Sequence, residues 1–209
     1  MYIHTYGDSA SVVLIQPVYD LSGMDEEAAA IRAAAGRDIC LTAVKVDSWN
    51  DDLSPWKAPA VFGRDPFGGG ADSTLAAILD LCRDREKTYF IGGYSLAGLF
   101  ALWASYRTDV FTGVAAASPS VWFPGFTDYM RDRRTHSRYV YLSLGDREEK
   151  AKDPLIASVG RCIREGHEIL RSQGTDCLLE WNEGGHFKDA HLRTVRAFSW
   201  VLTKDGESV

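Results

Sequence analysis

Thr88-Tyr89-Phe90-Ile91-Gly92-Gly93-Tyr94-Ser95-Leu96-Ala97-Gly98 carries more information about architecture than any other stretch of this chain. Thr88 to Gly92 is a short run of β-forming residues and reads as a strand. Leu96 to Tyr106 is apolar nearly all round and reads as a buried helix. Ser95 falls between the two, with Gly93, Ala97 and Gly98 around it. A tight strand-to-helix turn needs small residues because strand and helix approach closely, and it holds the serine oxygen clear of the backbone. The same turn aims the first helical N–H, that of Leu96, at whatever Ser95 meets. Ala97 stands where the pattern G-x-S-x-G has its last glycine, and alanine is small enough for the same packing. A loose match of this kind arises by chance about once in several chains of this length. Its specificity comes from the strand before it and the buried helix after it.

The alternation extends in both directions. Ser11 to Val18 is nearly continuous in β-branched and apolar residues, as expected of a strand covered on both faces. A helix is predicted from about Asp25 to Ala35, with Ser22 and Asp25 spaced as a capping box and Gly36 as its stop. Ile39 to Val46 is a second strong strand. Asp47 to about Gly70 has no clear period. It carries Trp49, Trp56, Phe62 and Phe67, three prolines and Gly68-Gly69-Gly70, and it reads either as a functional loop or as a surface connection with aromatic anchors. A helix is predicted over Ser73 to Arg83. Beyond the serine, strands are predicted at Gly113 to Ala117, Tyr139 to Leu144 and Cys177 to Asn182. An irregular or short helical excursion covers Ser118 to Arg131, a long helix covers Leu155 to Ser172, and a closing helix covers Lys188 to Thr203 before a polar tail. Such alternation implies one α/β domain over the whole chain, with a mainly parallel sheet and helices on both faces.

Composition sets limits on function. The chain has 209 residues, 45% hydrophobic and 25% charged, with a formal charge of −6, which fits an ordinary globular domain. That charge argues against a broad nucleic-acid face. No apolar run approaches the roughly 18 residues of a membrane span, and the start, Met1 to Asp8, lacks the basic and apolar regions of a signal peptide. Cys40, Cys82, Cys162 and Cys177 are widely spaced in apolar or periodic segments and read as buried thiols. No cysteine or histidine spacing suggests a metal site. A cytoplasmic location is expected, and the oligomeric state is open.

A nucleophilic serine in this setting is served by an acid and then a histidine later in the chain. His186, in Glu183-Gly184-Gly185-His186-Phe187, lies just past a predicted strand end, where two glycines let the loop turn back over the sheet. It is the candidate base. The acid should leave the end of the strand Tyr139 to Leu144, where Asp146, Glu148 and Glu149 are available; its task is to accept the imidazole N–H and fix the tautomer. Glu183 is a further possibility. A second oxyanion donor should come from the loop after the first strong strand. Pro17 has no N–H, which leaves Val18 or Tyr19. If the sheet winds outward in both directions from the strands ending at Pro17 and Gly93, the two are neighbours, and their carboxyl ends flank the crevice where ligands sit. Trp56, Trp122, Phe126 and Phe187 are candidate pocket walls; aromatic residues serve equally as core.

The sequence Gly93-Tyr94-Ser95-Leu96-Ala97-Gly98, then Ala117-Ser118-Pro119-Ser120-Val121-Trp122, Leu144-Gly145-Asp146-Arg147-Glu148 and Gly184-Gly185-His186 resembles the α/β-hydrolases. Within them it is similar to the branch of esterase D-like and siderophore (enterobactin-type) esterases, over about Val12 to Thr203. The resemblance implies a compact α/β-hydrolase fold of about six mostly parallel strands with helices on both faces, the usual opening antiparallel strands being missing or reduced. It implies hydrolysis of a small-molecule carboxylic ester through an acyl-serine, with no metal or organic cofactor. In many such enzymes the acid comes three residues after the glycine ending its strand, which selects Glu148; Asp146 is the rival, since aspartate is the commoner residue in the role. Siderophore esterases handle bulky anionic ligands, for which Lys57 and Arg64 in the long loop are the available cations. A thioesterase or small peptidase would use the same machinery. A hydrolase-fold protein that binds a ligand or partner without turnover is the alternative from another class, against which the full set of residue types in order argues.

Overall fold

The computed structural model describes residues 1–7, 11–61 and 63–207. In chain order the elements are β1 (Tyr2–Tyr6), β2 (Val12–Val18), α1 (Met24–Ala35), β3 (Cys40–Lys45), α2 (Trp49–Asp52), β4 (Lys57–Ala58), β5 (Phe67–Gly68), α3 (Ala71–Leu81) and β6 (Thr88–Tyr94). There follow α4 (Leu96–Ala104), β7 (Phe111–Ala117), α5 (Phe126–Arg131), β8 (Tyr139–Gly145), a 3-10 turn at Glu148–Lys150, α6 (Pro154–Ala157), α7 (Val159–Ser172), β9 (Asp176–Asn182) and α8 (Ala190–Gly206).

The main sheet runs β1-β3-β2-β6-β7-β8-β9. Six strands are parallel, and β1 is antiparallel to β3. One opening antiparallel strand is therefore kept. β2 is buried at all seven positions, as its continuous apolar run requires. Its alternate residues serve opposite cores: Val13 and Ile15 join the larger cluster with α3, α4 and α7, while Val12 and Leu14 join the smaller one with α1 and α8. This is the period-two consequence of covering both faces. Pairing of β2 with β6 stops at Ile15↔Ile91, before Pro17, whose missing N–H could not extend it. The two strand ends separate there, at the carboxyl edge of the sheet.

Several boundaries differ from the sequence reading for identifiable reasons. No capping box forms at Ser22 and Asp25: Gly23 is the N-cap, in the left-handed region, with no side-chain cap. The Ser22 N–H is instead taken by Asp20 Oδ1 at 2.7 Å. The predicted long helix over Leu155 to Ser172 is two helices with a step at Ser158, and the first is capped by the Asp153 carboxylate. The segment Asp47–Gly70 carries α2 and the β4–β5 pair, pinned by the fully buried Leu53 and Ser54. A methyl group on Gly68 would lie 2.3 Å from Asp51 Oδ1, so the glycine run lets the segment fold back on α2. Phe62 and the end of the polar tail, 208–209, lie outside the described residues. The four cysteines are free, Cys177 being half-buried and the others buried.

Candidate active site

The turn after β6 sets the geometry. Ser95 has φ 59° and ψ −120°, a backbone region that costs energy for any L side chain. It is held by its N–H donating to Ala117 O (3.1 Å) and by its carbonyl accepting from Leu99 and Ser120 N–H (3.0 and 3.1 Å). Gly93 must be glycine here, because a Cβ would lie 2.7 Å from the methyl of Ala97. The close approach inferred from sequence is thus a contact between residues 93 and 97. Leu96 opens α4, so its N–H is one of the helix amides with no intrahelical partner.

The chain brings Ser95, His186 and Glu148 together. His186 Nε2 lies 2.9 Å from Ser95 Oγ, and His186 Nδ1 lies 2.6 Å from Glu148 Oε2. Glu148 is buried, and its other oxygen accepts from Gly145 N–H (2.7 Å), Ser118 Oγ (2.9 Å) and Arg193 Nη1 (2.8 Å). Burial pushes the Glu148 carboxyl up. The hydrogen bond and charge of His186, with the Gly145 and Ser118 donors, outweigh it and hold the carboxyl below its ordinary value. An ionised Glu148 accepts a hydrogen bond from Nδ1–H, and in that tautomer Nε2 is placed to accept from Ser95 Oγ–H.

The rival acids are occupied elsewhere. Asp146 is exposed, and its Oδ1 accepts from Gly184 N–H at 2.8 Å. It braces the histidine loop rather than touching the histidine. Glu149 pairs with Arg164, and Glu183 with Lys188. A second Glu–His pair exists, Glu27 with His191 (2.9 Å). Glu27 also accepts from Gln16 Nε2 (2.7 Å), and the pair borders a groove of about 330 Å³. That groove also holds Val18 and Tyr19, at the end of β2 beside Tyr94. Tyr19 is exposed and lies against the Trp49 ring.

Ser95 and His186 open onto a separate cavity of about 420 Å³. Its apolar wall comes from Pro119, Trp122, Ala151, Ile156, Val159 and Phe187, and Ser118, Ser120, Arg147 and Glu148 complete it. Trp122 is buried, whereas Phe187 is 94% exposed at the mouth. Trp56 and Phe126 do not line this cavity. They form an aromatic cluster with Phe123 and Tyr129 around α5, where Phe126 stacks on Tyr129 and the Trp56 indole N–H donates to Pro124 O. Lys57 and Arg64 are likewise exposed and do not line the cavity.

Three residues of the site escaped the sequence. Ser120 Oγ lies 3.3 Å from Ser95 Oγ. Ser118, at φ 40°, turns its hydroxyl onto Glu148. Arg193, 1% exposed, reaches from α8 to Glu148, Ser118 and Tyr94, and to the carbonyls of Glu183 and Gly185 on either side of the histidine loop. Ser-Pro-Ser was a visible motif without a readable role, and nothing about Arg193 marked it out. No group of three or more histidine, cysteine or acidic residues is placed to hold a metal ion, and no helix is long and apolar enough to cross a membrane, among the described residues.

This fold, with a serine at the central strand-to-helix turn, is that of the α/β-hydrolases. An IroE-like serine hydrolase from Shewanella oneidensis superposes with a TM-score of 0.73 at 14% identity, covering 90% of this chain and 69% of that one. Acyl-protein thioesterase 2 from Zea mays superposes at 0.59 and 14% identity, over 96% of this chain and 99% of that one. The enterobactin esterase FES from Shigella flexneri superposes at 0.66 and 14% identity, over 98% of this chain and 55% of that one. No protein-family model matches the chain, and no curated protein matches it in sequence.

Proposed function

We propose that the protein is a serine hydrolase that cleaves a small carboxylic ester through an acyl-serine. One observation carries this: the unbroken hydrogen-bond chain from Ser95 Oγ through both nitrogens of His186 to the buried Glu148. In the forward step Ser95 Oγ attacks the ester carbonyl while its proton passes to His186 Nε2. The imidazolium that forms is stabilised by Glu148, which stays ionised. The carbonyl oxygen gains negative charge and is met by the Leu96 N–H at the start of α4, an amide with no intrahelical partner. Collapse expels the alcohol, which takes the proton from Nε2. Water then repeats the sequence on the acyl-serine and releases the acid. The likeness in fold to proteins described as serine hydrolases and esterases supports the same reading.

A fluorophosphonate probe tests it. Folded protein should be labelled at Ser95, as located by peptide mass spectrometry, and Ser95→Ala should take no label. Absence of labelling in folded wild-type protein would favour a hydrolase fold kept for binding alone.

A further inference from the structure

The cavity beside Ser95 has one free charge. Of the charged side chains that line it, Glu148 is committed to His186 and Arg193. Arg147 is exposed, lines the same cavity, and its guanidinium has no hydrogen bond or ion pair among the described residues. Many of the chain's other arginines, such as Arg131, Arg161, Arg164 and Arg193, are paired with carboxylates. The Arg147 backbone is fixed by the bonds that fix the acid: its N–H donates to Gly184 O (3.1 Å), and the Asp146 N–H donates to Asn182 O (2.8 Å). Glu148 therefore faces inward to the histidine while its neighbour stands on the cavity wall. The rest of that wall is largely apolar, with Trp122, Ile156, Val159 and Phe187.

The geometry points to Arg147 as the residue that selects substrate: the ester hydrolysed carries an apolar spacer ending in a carboxylate, which the guanidinium meets on the wall of the cavity it shares with Ser95. This rests on the hydrolase proposal and adds the substrate class to it. A planar guanidinium with its donors free fits a carboxylate with two parallel hydrogen bonds. The apolar wall takes the carbons between that carboxylate and the scissile bond. The anion can belong to the acyl or to the alcohol half of the ester, and two probes separate these.

Methyl hydrogen glutarate carries the carboxylate on the acyl side, and the acetate ester of γ-hydroxybutyrate carries it on the alcohol side. Methyl pentanoate and butyl acetate are the neutral counterparts. We expect kcat/KM to favour the anionic ester in one of the two pairs. That preference should fall about tenfold in Arg147→Gln and reverse in Arg147→Glu. Arg147 is exposed, so neither variant threatens the fold, and circular dichroism checks this. A preference that stays within about threefold across all three proteins overturns the proposal and makes Arg147 an ordinary solvated charge. Fluorophosphonate labelling of Ser95 without turnover of any of the four esters also overturns it, while leaving the serine-hydrolase reading standing. Absence of both labelling and turnover removes the two together.

Discussion

Glu148 and Asp146 are two residues apart, yet only one reaches the imidazole. The difference lies in what surrounds each carboxylate. Glu148 is buried with four donors converging on it, whereas Asp146 is exposed and ties down Gly184. Glu148→Gln should therefore lower ester turnover by about 100-fold or more, because the imidazole loses the acceptor that fixes its tautomer. Asp146→Asn should cost much less, through a looser loop. The reverse order would reassign the acid. Stability follows the same carboxylate. Its folded value lies below the ordinary 4.5, so the stabilisation is complete above that pH and is lost as the pH falls through the folded value. The gap in unfolding free energy between wild type and Glu148→Gln should accordingly narrow on acidification below about pH 4.5, which denaturant titrations at several pH values would measure. At this scale the serine and histidine were readable, since each follows a strand and sits among small residues. Arg193 was not: a buried arginine inside a helix has the same letter as a solvated one, and only the tertiary fold supplies its five acceptors.

Elements were more legible than the contacts between them. The inner strands of the parallel sheet were visible as apolar or small-residue runs, because strands buried on both faces leave little room for polar residues, whereas β9, at the margin, has only its last residue buried. The small segments within Asp47–Gly70 were not, since two-residue strands and a single helical turn carry no period. The turn at Ser95 shows how an element-level contact is encoded. Its fifth position carries a methyl group, and the glycine at position 93 makes room for it. Gly93→Ala should destabilise the protein by ~1–3 kcal/mol through overpacking. The double variant Gly93→Ala/Ala97→Gly should recover much of that loss. If the two effects simply add in thermal or denaturant unfolding, the contact between residues 93 and 97 does not control the turn.

Across the whole molecule, the parts of the site come from different depths of one sheet. Ser95 follows β6, in the middle, with strands on both sides. Glu148 and His186 follow β8 and β9 at one margin, and β9 is the last strand. The order Ser95, Glu148, His186 along the chain is thus also an order from centre to edge. That much could be read from strand order in the sequence, whereas the separation of the apolar cavity from the groove at Val18 and Tyr19 could not, because it depends on where Tyr94 and the helix ends lie.

The placement of β9 has a consequence for how the protein fails. An edge strand opens by local fraying at a smaller free-energy cost than the centre of a sheet. When β9 frays, the bonds from Asp146 and Arg147 to Asn182 and Gly184 go with it, and the imidazole is carried away from an intact serine turn. Amide hydrogen exchange should accordingly show 182–186 exchanging well before 89–94, and turnover should decline in mild denaturant while the bulk of the helical signal persists. Loss of activity coincident with global unfolding would mean that Arg193, clamped to the carbonyls of Glu183 and Gly185, ties the margin to the core firmly enough to make the two a single cooperative unit.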